Sequence, residues 1–96
     1  MGETRDAYVR KIQAKLDEWN AEIDKLEAKI DQADAEGRIE LQRQVDSLRA
    51  KRTAMKGKVA EMKEAGGEAW KDLKVGVEVA SKAMGEAVRA AVSQFR

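Results

Sequence analysis

The sequence of 96 residues has no cysteine, no histidine and no proline, and only 4% of its residues are aromatic. Without cysteine the chain forms no disulfide and offers no thiolate, which fits a reducing cytoplasm. It contains no apolar run of the roughly 18 residues that a membrane-spanning helix needs. Charged residues from Glu3 onward are not typical of a secretory signal peptide. We therefore expect a cytoplasmic protein.

Few residues are suited to catalysis or metal binding. The usual general base, histidine, is absent, and the carboxylates and lysines fall on predicted solvent faces, where nothing tunes them for proton transfer. Helical di-iron sites need Glu-x-x-His on facing helices, and no glycine-rich loop follows a strand to hold a phosphate. We therefore expect no enzymatic activity, no cofactor and no metal site.

The residues that are present are typical of long helices and coiled coils. Charged residues make up 39% of the chain and hydrophobic residues 43%, with heavy use of Ala, Glu, Lys, Leu and Arg. This length allows one small domain, so we expect a single helical domain over residues 1–96. Because such a small core is marginal alone, helix pairing within or between chains is favoured.

Opposite charges are separated along the chain, although the net charge is only +1. Residues 1–36 carry six Lys/Arg and ten Asp/Glu, giving −4, whereas residues 37–65 carry eight and four, giving +4. These two segments are expected to lie side by side, within one chain or between two. The small net charge, and the lack of aromatic residues in the basic stretch 49–58, do not favour nucleic acid as a partner.

Apolar residues recur in steps of three and four, which predicts amphipathic helices rather than strands. From Leu16 to Ala33 they occupy heptad positions a and d, the pattern of a coiled-coil seam. Thr4 or Asp6 is expected to cap the first helix. These recurring apolar residues predict the following helix–helix interface residues: Leu16, Trp19, Ile23, Leu26, Ile30, Leu41, Val45, Leu48, Met55, Val59, Met62, Trp70, Leu73 and Val77.

Gly37 separates two interpretations of the first two thirds of the chain. In the favoured one, a single long coiled-coil helix covers about residues 4–64, with a slip of the heptad at Gly37. Residues 36–39 offer no turn chemistry and no N-cap, and Asp34 with Arg38 would form an i,i+4 pair across the glycine. In the alternative, Gly37 ends a helix and the chain reverses. The result is an up-down-up three-helix bundle of nearly equal segments: about 5–36, 38–65 and 68–95.

The pair Gly66-Gly67 predicts a firmer boundary, because two consecutive glycines end a helix. A third amphipathic helix is expected over about residues 68–95 and should fold back over the first. Trp70 and Phe95 would anchor its ends. Its packing face is expected to consist of small residues: Gly76, Ala80, Ala83, Ala87 and Ala91.

The stretch from Arg5 to Lys29, with Leu-Asp-Glu-Trp-Asn at residues 16–20, resembles the opening of a family of small bacterial coiled-coil proteins. Members of that family are labelled stress-response proteins after a cyanobacterial example. The resemblance continues through residues 38–42, 48–52 and 69–78. It implies a helical protein of the bacterial cytoplasm, and it assigns no catalytic or ligand-binding residue to this chain.

Together these observations predict an all-α, non-enzymatic structural or interaction protein that acts through helix–helix association, with a stress-related role implied by the resemblance. The expected partner is a second copy, paired as an antiparallel homodimer, or another helical protein. The alternative function is reversible binding to a lipid or membrane surface through the amphipathic third helix. Alanine dominates the apolar face of that helix, so this alternative is less favoured.

Overall fold

The computed structural model describes residues 4–95, which form α1 (Arg5–Ile30), α2 (Ala35–Glu64) and α3 (Trp70–Gln94). These residues include no strand, so the predicted all-α class is confirmed. The helices run up, down and up in a bundle whose long dimension is 52 Å. A continuous helix over residues 4–64 would be about 90 Å long. The favoured long helix was therefore wrong, and the three-helix alternative is the observed arrangement.

A turn at residues 31–34 replaces the continuity predicted at Gly37. Asp34 is the N-cap of α2, and its carboxylate accepts a hydrogen bond of 2.7 Å from the Gly37 amide. Since the carboxylate serves this backbone donor, the predicted pair of Asp34 with Arg38 does not form. The Arg38 guanidinium instead donates to the carbonyl oxygen of Ile30 at 3.3 Å. Both side chains thus stabilise helix ends at the reversal, which lies before Gly37 and not after it.

The other helix boundaries agree more closely with the sequence pattern. The Thr4 hydroxyl caps α1 by accepting a hydrogen bond of 3.1 Å from the Ala7 amide. Gly67 has a φ of +56° between α2 and α3, a conformation that glycine adopts without the steric cost of a Cβ atom. The boundary predicted at the two glycines is confirmed, although α3 begins at Trp70 rather than at residue 68 because a turn precedes it.

Two hydrogen bonds between helix ends establish how the helices run. At one end of the bundle, Arg5 donates to the Ala65 carbonyl, which follows α2, at 2.8 Å. At the other end, Lys29 donates to the Phe95 carbonyl, which follows α3, at 2.8 Å. Therefore α1 and α3 are parallel, and α2 is antiparallel to both.

Residues from all three helices form one hydrophobic core. Most of the proposed interface residues are buried in it: Leu16, Ile23, Leu26, Leu41, Val45, Leu48, Met55, Val59, Met62, Trp70 and Val77. Three others are half-buried and pack at its edge: Trp19, Ile30 and Leu73. Gly76 and Ala83, which were expected to face a neighbouring helix, are exposed. Because each large apolar side chain contributes about 1.5–3 kcal/mol when buried, this core is the main stabilising element of the bundle.

The oppositely charged segments lie side by side within the chain. Arg49 of α2 forms an ion pair with Glu27 of α1. Arg52, which breaks the predicted apolar seam, is half-buried and donates from Nη1 to the Asn20 side chain at 3.0 Å. Within residues 4–95, these two contacts join the oppositely charged segments without a second copy, as the bundle alternative requires.

Candidate interaction groove

An open groove of about 1110 Å³ runs between the parallel helices α1 and α3. These two helices pack against each other less extensively than either packs against α2. Buried Tyr8, Ile12 and Val88 line the groove, together with half-buried Trp19. Of these four side chains, only Trp19 presents substantial apolar surface to the groove, because the other three are at most 5% exposed.

Trp19 of α1 and Gly85 of α3 are neighbours in this groove. A Cβ atom on Gly85 would lie 3.8 Å from Cζ2 of Trp19, which is ordinary van der Waals contact. Because glycine adds no side chain over the indole, Trp19 stays partly exposed. A partly exposed tryptophan in a concave apolar surface is typical of the anchoring residues of protein interfaces.

The end of the groove nearest the start of α1 is built around Tyr8, which is only 1% exposed. Its ring lies 6.0 Å from the ring of Trp70, and the Nζ atoms of Lys11 and Lys74 lie 5.9 and 5.0 Å from its centroid. These distances are within the range of cation–π attraction. Sequence reasoning missed Tyr8 because it lies next to the chosen heptad positions. Its spacing of four to Ile12 is the signal that could have identified it.

Charged residues follow both edges of the groove in steps of mostly three and four. The edge on α1 consists of Lys11, Lys15, Glu18 and Glu22, and the edge on α3 consists of Glu78, Lys82 and Arg89. Glu22 pairs with Lys25 at 3.6 Å, and Glu78 pairs with Lys74 at 3.8 Å. Within residues 4–95, the following edge residues form no ion pair: Lys11, Lys15, Glu18, Lys82 and Arg89. The edges thus carry free charges of both signs.

The groove lining includes one buried serine. Ser81 lines it and is 8% exposed, and the chain has no histidine that could activate its hydroxyl. In the described part of the chain, no three acidic side chains are grouped so that they could hold a metal ion. No helix within residues 4–95 is long and apolar enough to cross a membrane.

Outside the groove, the largest exposed apolar side chains lie on α3 and α2. Val75 and Val79 of α3 are 67% and 68% exposed, and Ile39 of α2 is 64% exposed. The spacing of four places both valines on the same face of α3, opposite the face that carries the core residue Val77. Two exposed valines on one helix are the feature most relevant to the lipid-binding alternative.

Comparison of the chain with models of protein families, with curated proteins and with solved structures finds no match. The family resemblance seen in the sequence therefore stays a prediction. The groove itself is the basis for assigning a function.

Proposed function

We propose that this protein is a non-enzymatic interaction protein that acts by helix–helix association, and that the groove between α1 and α3 binds a helix of its partner. The observation that carries the proposal is Trp19, half-exposed in a groove with an apolar floor and free charges on both edges. An amphipathic helix in such a groove buries its apolar stripe and pairs its charges at the edges. The product is a four-helix arrangement.

The rest of the bundle supports placing the partner in this groove. The heptad residues that were expected to pair with a second chain, such as Ile23 and Val45, are fully buried by their own bundle. Association therefore has to use a surface that the fold leaves open. The stress-related role and the bacterial cytoplasm belong to this proposal through the family resemblance alone.

The test follows the two indole N–H signals of the chain by NMR, since it has two tryptophans. Trp19 lines the groove, whereas Trp70 is 5% exposed and belongs to the core. The probes are synthetic peptides with the sequences of the three helices: residues 5–30, 35–64 and 70–94. A peptide bound in the groove should shift the signal of Trp19 and leave that of Trp70 in place.

Two glycine variants of α3 provide a matched comparison. Gly85→Met places a flexible side chain over Trp19 and should weaken peptide binding at least about tenfold, as loss of an interface anchor does. Gly76→Met lies in open space on the exposed side of α3 and should leave binding unchanged. If no peptide shifts the Trp19 signal and the full chain does not associate at millimolar concentration, the groove binds no helix and the proposal fails.

A second candidate function is reversible binding to a lipid surface through α3. The observation that favours it is the pair of exposed valines, Val75 and Val79, on a helix that also presents Lys71, Lys82 and Arg89 to solvent. Helices that lie in a membrane interface insert apolar side chains and keep their cations near the headgroups.

Co-sedimentation with vesicles of phosphatidylcholine or of phosphatidylglycerol tests the lipid candidate. Val79→Asp should reduce the pelleted fraction, whereas Ile39→Asp, an equally exposed change on α2, should not. Failure of the unmodified protein to pellet with either vesicle rules this candidate out. It would leave the groove proposal untouched, because Val79 does not line the groove.

A further inference from the structure

We infer that the groove between α1 and α3 is closed by the same face of a second copy, so that α1 packs antiparallel on α1, and α3 on α3, across a two-fold axis. This inference rests on the proposed function, because it names the partner that the groove binds. In the resulting dimer, α2 stays on the outer side of each copy. The interface differs from the coiled-coil seam expected from the sequence, since that seam is the core of each bundle.

The charges along α1 are complementary to themselves when two copies run antiparallel. The groove edge of α1 has Lys11 and Lys15 in its first half and Glu18 and Glu22 in its second. An antiparallel register that places Lys15 opposite Glu18 of the second copy also places Lys11 opposite Glu22. Both pairs share one midpoint, between residues 16 and 17, so each ion pair occurs twice. A parallel pairing of α1 with α1 would place like charges opposite each other.

The groove edge of α3 has the same property. Glu78 and Arg89 are equally far from a midpoint between residues 83 and 84, so an antiparallel copy places them opposite each other. Lys82 and Gly85 share this midpoint. The long side chain of Lys82 therefore lies opposite a residue without a side chain and has room to extend.

One two-fold axis serves both helices. Trp19 lies beside Gly85, and Lys29 reaches Phe95, so these side-chain contacts place a residue of α1 near the level of the α3 residue 66 positions later. The midpoint on α1 is accordingly near a point between residues 82 and 83. The midpoint on α3 lies within one helical turn of that point, about 5 Å along a helix. An unrelated helix would have no reason to match both edges about a common centre.

The dimer also accounts for the exposed tryptophan and for most of the free charges on the groove edges. Trp19 lies within three residues of the midpoint of α1, so the two indoles approach each other near the axis and leave water. Lys15, Glu18 and Arg89, which form no ion pair within residues 4–95, all gain a partner. A bundle face of at most 52 by 20 Å is large enough for the roughly 800 Å² per partner of a standard interface.

Sedimentation equilibrium of the full chain tests the charge pairs. Lys15→Glu sets like charges opposite each other at two symmetry-related positions and should raise the dimer Kd about tenfold. The double variant Lys15→Glu/Glu18→Lys exchanges the partners and should restore the original Kd. The matched control for the single change, Arg10→Glu, makes the same charge change at an exposed residue outside the groove and should have no effect.

Engineered cysteines test the orientation, because the natural chain has none. Lys11→Cys mixed with Glu22→Cys should form a mixed disulfide, since the inferred register places these positions opposite each other. Neither variant should cross-link to itself, because two copies of one cysteine would be separated by about 16 Å along the helix axis. A disulfide bridges Cα atoms no more than about 7 Å apart.

The outcomes separate this inference from the proposed function. A monomer at millimolar concentration, or self-cross-linking of Lys11→Cys, overturns the antiparallel dimer. If the Trp19 signal still responds to helical peptides in that case, the groove binds an isolated helix and the proposed function holds without the dimer. A dimer that forms the mixed disulfide and responds to the Lys15 and Glu18 exchange supports both.

Discussion

The carboxylate of Asp34 accepts a hydrogen bond of 2.7 Å from the amide of Gly37, and this contact holds the reversal between α1 and α2. A Cβ atom on residue 37 would lie only 2.9 Å from Oδ1 of Asp34. Glycine therefore allows the cap to approach the first turn of α2 this closely. Gly37 marks the right region of the chain, but it stabilises the beginning of the second helix and not the end of the first.

Asp34→Ala should lower the free energy of unfolding by about 1 kcal/mol, because it removes the side-chain acceptor of the α2 N-cap. Asp31→Ala is the control, since Asp31 is exposed in the same turn and caps α1 through its backbone N–H. Urea denaturation followed by circular dichroism measures both. Equal losses for the two variants would mean that the cap does not stabilise the turn.

Replacing both Asp34 and Gly37, the two residues that hold the turn, should favour the continuous helix that the heptad pattern predicts. In Asp34→Ala/Gly37→Ala, alanine suits a helix interior, so α1 and α2 can join and exchange their packing with a second chain. The maximum dimension in small-angle X-ray scattering should rise from near the 52 Å of the bundle towards about 90 Å. A particle that keeps its original length would show that the core, and not the turn, enforces the reversal.

Alanine substitutions at the two glycines between α2 and α3 should change the stability of the protein in opposite directions. Gly67 has a φ of +56°, so Gly67→Ala should cost about 1–2 kcal/mol of stability. Gly66 is not in that conformation and has open space around it, so Gly66→Ala should stabilise the protein by about 0.4–1 kcal/mol. Thermal unfolding of the pair checks this difference, and two changes of the same sign would contradict it.

Ile23→Ala should lower the free energy of unfolding by about 2–5 kcal/mol, because the substitution leaves a cavity in a close-packed core. Ile23 is 0% exposed, whereas Val79, the control position, is 68% exposed. Val79→Ala should change stability by at most about 0.5 kcal/mol. A small loss for Ile23→Ala in chemical denaturation would contradict its place at the centre of the bundle.

The ion pair between Glu27 and Arg49 should contribute only about 0.2–1 kcal/mol, because both side chains remain partly exposed to water. Their exposed fractions are 47% and 36%, respectively. A double-mutant cycle with Glu27→Gln and Arg49→Gln isolates the coupling, which should shrink in molar salt. Coupling that is large and insensitive to salt would show that the pair is shielded from solvent.

Most of the core could be predicted from the sequence, because helical periodicity is a local property of the chain. Ile23, Leu41 and Met55 were assigned to an interface from their spacing, and all three are at most 1% exposed. The turn was misplaced because Asp34 serves equally well in an i,i+4 pair or as an N-cap. The cap forms where α2 packs against α1, and that packing is not visible in the local sequence.

The candidate groove was harder to predict than the core. Trp19 was identified as an apolar residue of the seam, but its partial exposure depends on Gly85, which lies on a different helix. Likewise, the sequence pattern places Lys15 and Glu18 on what looks like an ordinary solvent-exposed helix face. They become one edge of a shared surface only when α1 and α3 lie side by side.

The sequence was sufficient to predict the all-α class, the apolar stripes and the boundary at Gly66-Gly67, because propensity, capping residues and side-chain periodicity act over a few neighbouring positions. It left open whether the apolar stripes would pair within one chain or between two, since either arrangement buries the same residues. Three-dimensional packing resolved that choice by burying the apolar stripes of α1, α2 and α3 against one another within one chain. The same packing left the groove between the parallel helices α1 and α3 open, because three helices cannot cover every edge of a shared core.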